Sequence, residues 1–261
     1  MMIRRTVSRV FVTKRNRRIR LRLMSAAALA ALIILSPQVA LADDPCLDPP
    51  FQPGVEFEDV VWVEFQINEV VSWGIMYGCT DTLFCPNAPI TRAEMAVFLE
   101  LFVHGASFSP PPAEGLFEDV TGDWADYACW VEALKNDSIT AGCRADPPLY
   151  CPADQITRAQ MAVFLVAARC VKVGWNQDYC PPLYSAVPAC PPQAFDDVPC
   201  SHWGERHIAT IAELGITAGC GGGKFCPNSP VTKAQLAVFL WKTVIDIGCS
   251  TSLSPPTELS N

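Results

Sequence analysis

Ile90-Thr91-Arg92-Ala93-Glu94-Met95-Ala96-Val97-Phe98-Leu99 is the stretch whose reading decides the fold. It returns as Ile-Thr-Arg-Ala-Gln-Met-Ala-Val-Phe-Leu over residues 156–165, and as Val-Thr-Lys-Ala-Gln-Leu-Ala-Val-Phe-Leu over residues 231–240. Thr91-Arg92-Ala93-Glu94 is a capping box: the Thr hydroxyl accepts from an orphan backbone N–H and the Glu reaches back to the cap. Thr157 with Gln160, and Thr232 with Gln235, keep that chemistry with an amide. Beyond the cap, Met95, Phe98, Leu99 and Phe102 fall at i, i+3, i+4 and i+7, which predicts one apolar helix face.

Working outward, the same landmarks precede each of these helices in fixed order, the signature of an internal repeat. Phe57-Glu58-Asp59-Val60 returns as Phe117-Glu118-Asp119-Val120 and Phe195-Asp196-Asp197-Val198. Trp62, Trp124 and Trp203 follow, then Gly78-Cys79, Gly142-Cys143 and Gly219-Cys220, then Phe84-Cys85-Pro86, Tyr150-Cys151-Pro152 and Phe225-Cys226-Pro227. Between Trp and Gly-Cys lies a first helix: Ile208, Ile211 and Leu214 before Gly215, and Ile67, Val70 and Trp73 before Gly74. The middle copy is less regular, with Trp130, Val131 and Leu134 before Asp137. Each copy therefore reads as helix, loop, helix, and the fold class as all-α. A unit of about 50 residues with two short helices buries little surface alone, so the three are expected to share one core. The expected boundaries are 55–105, 115–170 and 193–247. An N-terminal segment at 43–54, a Pro- and Cys-rich linker at 171–192 and a polar, disordered tail at 248–261 make up the rest.

Residues 1–22 carry nine Lys and Arg and no acid, followed by an apolar run from Leu23 to Leu35, Pro37 and Ala40-Leu41-Ala42. These are the parts of a secretory signal peptide, with cleavage expected after Ala42. The run is shorter than the roughly 20 residues a membrane span needs, and nothing later is long or apolar enough to be one. The arginine pairs at 4–5 and 17–18 lack a convincing twin-arginine flank. The chain has 19 basic and 27 acidic residues; losing the nine basic residues of the leader leaves ten against 27. So acidic a surface repels polyanions, which excludes nucleic acid as a partner.

All 13 cysteines lie after residue 42, and in an exported chain they predict a disulfide framework. Cys79 with Cys85, Cys143 with Cys151, and Cys220 with Cys226 flank the short loops, and closing each would stabilise it by about 2–2.5 kcal/mol through loop-closure entropy. The rival reading, zinc, lacks C-x2-C spacing, and His104, His202 and His207 occupy no repeated position. The pairing of Cys46, Cys129, Cys170, Cys180, Cys190, Cys200 and Cys249 stays open. The odd number leaves at least one thiol free, bound to something else, or paired between chains, as in a homo-oligomer.

The order Phe-x-Asp-Val, Trp, a helix ending in Gly-Ile-x-x-Gly, Phe-x-Pro and Thr-Arg-Ala-Glu resembles S-layer homology domains, here in three tandem copies with an added cysteine pair in each. The resemblance implies a pseudo-threefold α-helical assembly with ligand grooves between adjacent repeats. It also implies secretion to the extracellular or cell-envelope surface and non-covalent attachment to a cell-wall polysaccharide or peptidoglycan-associated polymer. In the family the Arg after the cap helps grip an acidic sugar, which places ligand-binding roles on Arg92 and Arg158, and on Lys233 without the same bidentate fork. A helix N-terminus with unpaired N–H groups would favour such an anion; the plainer reading is a solvated cation on an exposed first turn. Thr91, Thr157 and Thr232 join the candidates, though caps first. Trp62, Trp124 and Trp203 either stack on sugar rings or fill the core. Asp59, Asp119 and Asp197 are read as holding a turn before the first helix, or less readily as calcium ligands. No G-x-S-x-G, HExxH or phosphate-binding glycine loop occurs, so neither catalysis nor a cofactor or metal is expected. The competing function is a structural or protein-interaction scaffold without glycan binding.

Overall fold

The computed structural model describes residues 56–174 and 193–250. The predicted signal peptide, the N-terminal segment, most of the linker and nearly all of the tail lie outside these, as do Cys46, Cys180 and Cys190 and the side chain of Cys249. The described residues are helix-rich. In chain order they hold α1 Glu64–Ser72, α2 Arg92–His104, a 3-10 turn at Gly122–Tyr127, α3 Ala128–Asn136, α4 Arg158–Lys172, α5 Glu205–Glu213 and α6 Lys233–Ser250. A two-residue antiparallel hairpin, β1 Arg144–Ala145 with β2 Pro148–Leu149, fills the loop of the middle copy around a cis Asp146–Pro147 bond.

Both predicted capping boxes at the starts of α2 and α4 form. Thr91 Oγ1 accepts from the N–H of Glu94 and Thr157 Oγ1 from that of Gln160, and each side chain answers to the cap N–H. Thr232 and Gln235 repeat the exchange at 3.3 and 3.4 Å. The single apolar face expected of α2 is too narrow a description. Met95, Phe98, Leu99 and Phe102 are fully buried, but Ala96, Val97, Leu101 and Val103 are buried as well. A helix buried all round lies inside the core rather than on its surface. Among this burial is Glu100, whose carboxyl is pushed up to about 8 by burial first and then by the charge of Asp137.

The first helices end as the sequence demands in two copies and not in the third. Gly74 and Gly215 take φ of 68° and 69°, the left-handed stop that glycine allows without a Cβ penalty. In the middle copy Ser138 holds the same conformation at φ 59°. That substitution accounts for the irregular pattern there.

The two helices of a copy do not make their main contact with one another. α1 packs on α6, α3 on α2 and α5 on α4. Each first helix thus lies against the second helix of the copy before it, and the first copy closes on the last. A ring of backbone bonds ties the same three segments. The Ile156 N–H donates to the Ile90 carbonyl, Val231 to Ile156, and Ile90 to Val231, at 2.8–3.0 Å. One continuous core runs through all three copies, as expected.

Candidate functional site

The site begins with the Asp of each Phe-x-Asp-Val. The sequence reading of Asp59 as holding a turn before its own first helix is corrected. Its two carboxylate oxygens accept the N–H groups of Phe84 and Cys85, each at 2.8 Å. Asp119 does the same to Tyr150 and Cys151, and Asp197 to Phe225 and Cys226, at 2.7–2.8 Å. The reason is local: Cys85, Cys151 and Cys226 sit at φ of 59–60°. A left-handed non-glycine residue is costly, and a charged double acceptor offsets that cost. With the carboxylates committed to N–H groups, they are not arranged as calcium ligands. Disulfides then close the loops, Cys79–Cys85, Cys143–Cys151 and Cys220–Cys226, as predicted. The zinc alternative for these thiols is thereby displaced. Cys129, Cys170 and Cys200 are disulfide-bonded as well. The glycine before each first cysteine is also explained: a Cβ on Gly142 would stand 2.5 Å from the Leu149 carbonyl oxygen and 2.7 Å from the Phe117 ring.

The stapled loops receive the cations of the neighbouring copy. Arg92 Nε donates to the Tyr150 carbonyl and Arg158 Nε to the Phe225 carbonyl, both at 2.7 Å. The guanidinium of Arg92 lies 4.6 Å over the Tyr150 ring and 5.5 Å from Phe164; that of Arg158 lies 4.8 Å over Phe225 and 5.5 Å from Phe239. The Lys233 ammonium sits among the rings of Phe84, Tyr77 and Phe98 at 5.1–5.7 Å. Such stacking is a cation–π contact. The solvated reading of these side chains is corrected: Arg92 and Arg158 are 5% exposed and Lys233 3%. They point inward because each second helix starts against the next copy's loop.

That packing also uses the helix N-termini. The Arg92 N–H donates to the Asp154 carbonyl and Ala93 to Pro152; Arg158 donates to Ser229 and Ala159 to Pro227; Lys233 donates to Ala88 and Ala234 to Pro86. Thr91 takes the next N–H by its hydroxyl and the one after, Met95, by its carbonyl. The first-turn N–H groups are therefore spent, and the expectation that they stay open for an anion is corrected. What remains is the guanidinium itself. Nη2 of Arg92 and of Arg158 is buried without a hydrogen-bond partner, a condition that costs roughly 1–3 kcal/mol and more for a charged group.

The three cations differ. Burial lowers the Arg158 guanidinium somewhat, against the opposing charge of Asp197. Burial brings the Lys233 ammonium down to about 8, with Glu94 and Asp59 pulling the other way. Acidic neighbours thus face the third cation. The tryptophans are not one class either. Trp62 and Trp203 are 44% and 64% exposed, so the core reading fails for them; Trp124 packs half-buried against the core beside Tyr127. Among the described residues no ring or cation–ring contact joins these tryptophans to Arg92, Arg158 or Lys233. The floor of each cation, above all Tyr150 and Phe225, was missed from sequence, although the repeated aromatic-Cys-Pro marked it.

Residues 66–96 and 194–237 match the family described as S-layer homology domain. The chain carries S-layer homology sequence in these two segments. The S-layer homology domain is a binding module. The copy between those two segments carries the same Asp, Arg and capping geometry. An S-layer protein of Bacillus thuringiensis subsp. finitimus is 28% identical over 200 residues, covering 76% of this chain and 22% of that protein. The amylopullulanase of Thermoanaerobacterium thermosulfurigenes is 28% identical over 73% of this chain and 10% of its own length. A cell wall amidase of Bacillus anthracis, described as uncharacterized, is 26% identical over 84% of this chain and 36% of its own length. The chain thus spans about a fifth of the S-layer protein and less of the amylopullulanase. No helix among its described residues is long and apolar enough to cross a membrane.

Proposed function

We propose that this secreted cell-surface protein is an envelope-anchoring module that grips an anionic cell-wall polysaccharide or peptidoglycan-linked polymer where adjacent copies meet. The three copies, near residues 55–105, 115–170 and 193–247, stand in a pseudo-threefold arrangement around the ring of Ile90, Ile156 and Val231. The observation that carries the reading is the pair of buried guanidinium groups, each fixed through Nε and left with an unpartnered Nη2. Neither arginine is in an ion pair among the described residues. A sugar carboxylate is the counter-ion such a group lacks, and a planar fork is suited to receive it. The Arg92 and Arg158 sites are the principal ones. Lys233, without the fork and with Glu94 and Asp59 near it, is the weakest. Trp62 and Trp203 offer exposed rings for stacking on sugars, and Thr91, Thr157 and Thr232 serve by setting the helix starts. The chain performs no catalysis of its own and takes no nucleic acid.

Purified cell-wall sacculi test this by co-sedimentation. The parent protein is expected in the pellet, and Arg92→Ala/Arg158→Ala is expected to weaken binding at least about tenfold, the loss of one charge-assisted bond or more. An unchanged pellet with the double variant rejects these sites. No sedimentation of the parent rejects wall binding and leaves the scaffold reading, for which interchain disulfide formation on a non-reducing gel is the check.

A further inference from the structure

We infer that Glu100, His104 and Asp137 form a binding site for one divalent transition-metal ion of the zinc class, apart from the inter-copy cation sites. Glu100 and His104 are four residues apart on α2 and so share one helix face. Asp137 is the C-terminal cap of α3, which packs on α2. The packing brings one imidazole nitrogen and two carboxylates together: His104 Nε2 lies 2.6 Å from Asp137 Oδ2 and 3.4 Å from Glu100 Oε2. One ligand atom from each of the three lies within 4.8 Å of the others.

Two carboxylates beside one imidazole do not make a site by themselves. The decisive member is Glu100. Its side chain is fully buried, and neither of its oxygens has a hydrogen-bond partner. A carboxylate removed from water without donors is strongly disfavoured, so this position calls for a cation. Access is provided on the other side, where His104 and Asp137 are 32% and 26% exposed. The imidazole is also held in place: it stacks on Phe108 at 4.2 Å, and Phe108 meets Trp130 edge-on at 6.1 Å. One nitrogen and two oxygens leave a coordination position for water, the pattern of an open zinc site. Imidazole favours zinc and its first-row neighbours over calcium or magnesium.

The competing account is a purely protein contact, His104 hydrogen-bonded to Asp137 beside the buried Glu100. Isothermal titration of the full chain with zinc chloride at neutral pH separates the two, after the odd thiol has been alkylated. One zinc ion per chain is expected at this site. His104→Ala and Glu100→Gln are each expected to weaken it by about tenfold or more, with the far-ultraviolet circular dichroism unchanged. Cobalt in place of zinc should give visible absorption bands that both variants lose. Should Glu100→Gln not fold, His104→Ala carries the comparison, since its side chain is a third exposed. A parent that takes up no more zinc or cobalt than these variants overturns the inference. Sedimentation with cell walls is a separate readout, so loss of one site does not imitate loss of the other.

Discussion

Asp119 and Cys151 stand 32 residues apart in the chain, yet a carboxylate oxygen of the first accepts the backbone N–H of the second at 2.7 Å. The bond sets the left-handed turn on which the Arg92 floor is built, and it recurs from Asp59 and Asp197.

Asp119→Ala should therefore lower stability by about 1.5–3 kcal/mol, the worth of hydrogen bonds to a charged acceptor, measured by urea unfolding. The Asp197 pair adds a pH signature. Burial raises that carboxyl, but the N–H groups of Phe225 and Cys226 and the charge of Lys224 pull it below its ordinary value. A depressed carboxyl contributes stability above its unfolded pKa and loses it as pH falls through the folded one. The deficit of Asp197→Asn should be largest at neutral pH and shrink in acid. A deficit that grows in acid would contradict this.

Ser138→Gly should stabilise the protein by about 0.5–1 kcal/mol, because Ser138 occupies a left-handed helix stop at φ 59° that glycine adopts freely. Gly215→Ala, at φ 69° with open space around it, should cost about 1 kcal/mol through conformation alone. Thermal unfolding of the two variants checks both signs.

Arg169 and Asp246 join α4 to α6 at 2.7 and 2.9 Å with little exposure on either side. Removing one partner, as in Arg169→Ala, should cost about 3 kcal/mol by leaving the other charge nearly buried. Arg169→Met combined with Asp246→Leu should recover most of that loss. A double variant as unstable as the single one would assign the effect to packing.

Residues 193–250 expressed alone should show little helix by circular dichroism, because α5 packs on α4 and α6 on α1, both absent from that piece. Independent folding of the fragment would contradict the interlocked arrangement.

How far the sequence could be read differs from one feature to the next. Helix starts were legible because Thr91, Thr157 and Thr232 act on N–H groups three residues away. The staples were legible because Cys79 and Cys85 are close in the chain. The role of Asp119 was not, since the N–H groups that donate to it lie a whole helix downstream and no local pattern encodes them. Arg92 looked solvated for the same reason: its burial comes from the Tyr150 loop, which belongs to another copy. Ser138 shows the converse, a departure from the repeat that the backbone absorbed without changing course.

The closure of the first helix on the last has a temporal side. As the chain emerges from the ribosome or from an export channel, Glu64–Ser72 is made long before its partner, Lys233–Ser250. Contacts so distant in sequence slow folding, because the intervening chain must be ordered first. Cys79 and Cys85 can meet early, within their own loop, but the apolar side of α1 must wait for the C-terminal copy. The apolar side of α1 is thus without its packing partner until nearly all of the chain has been delivered.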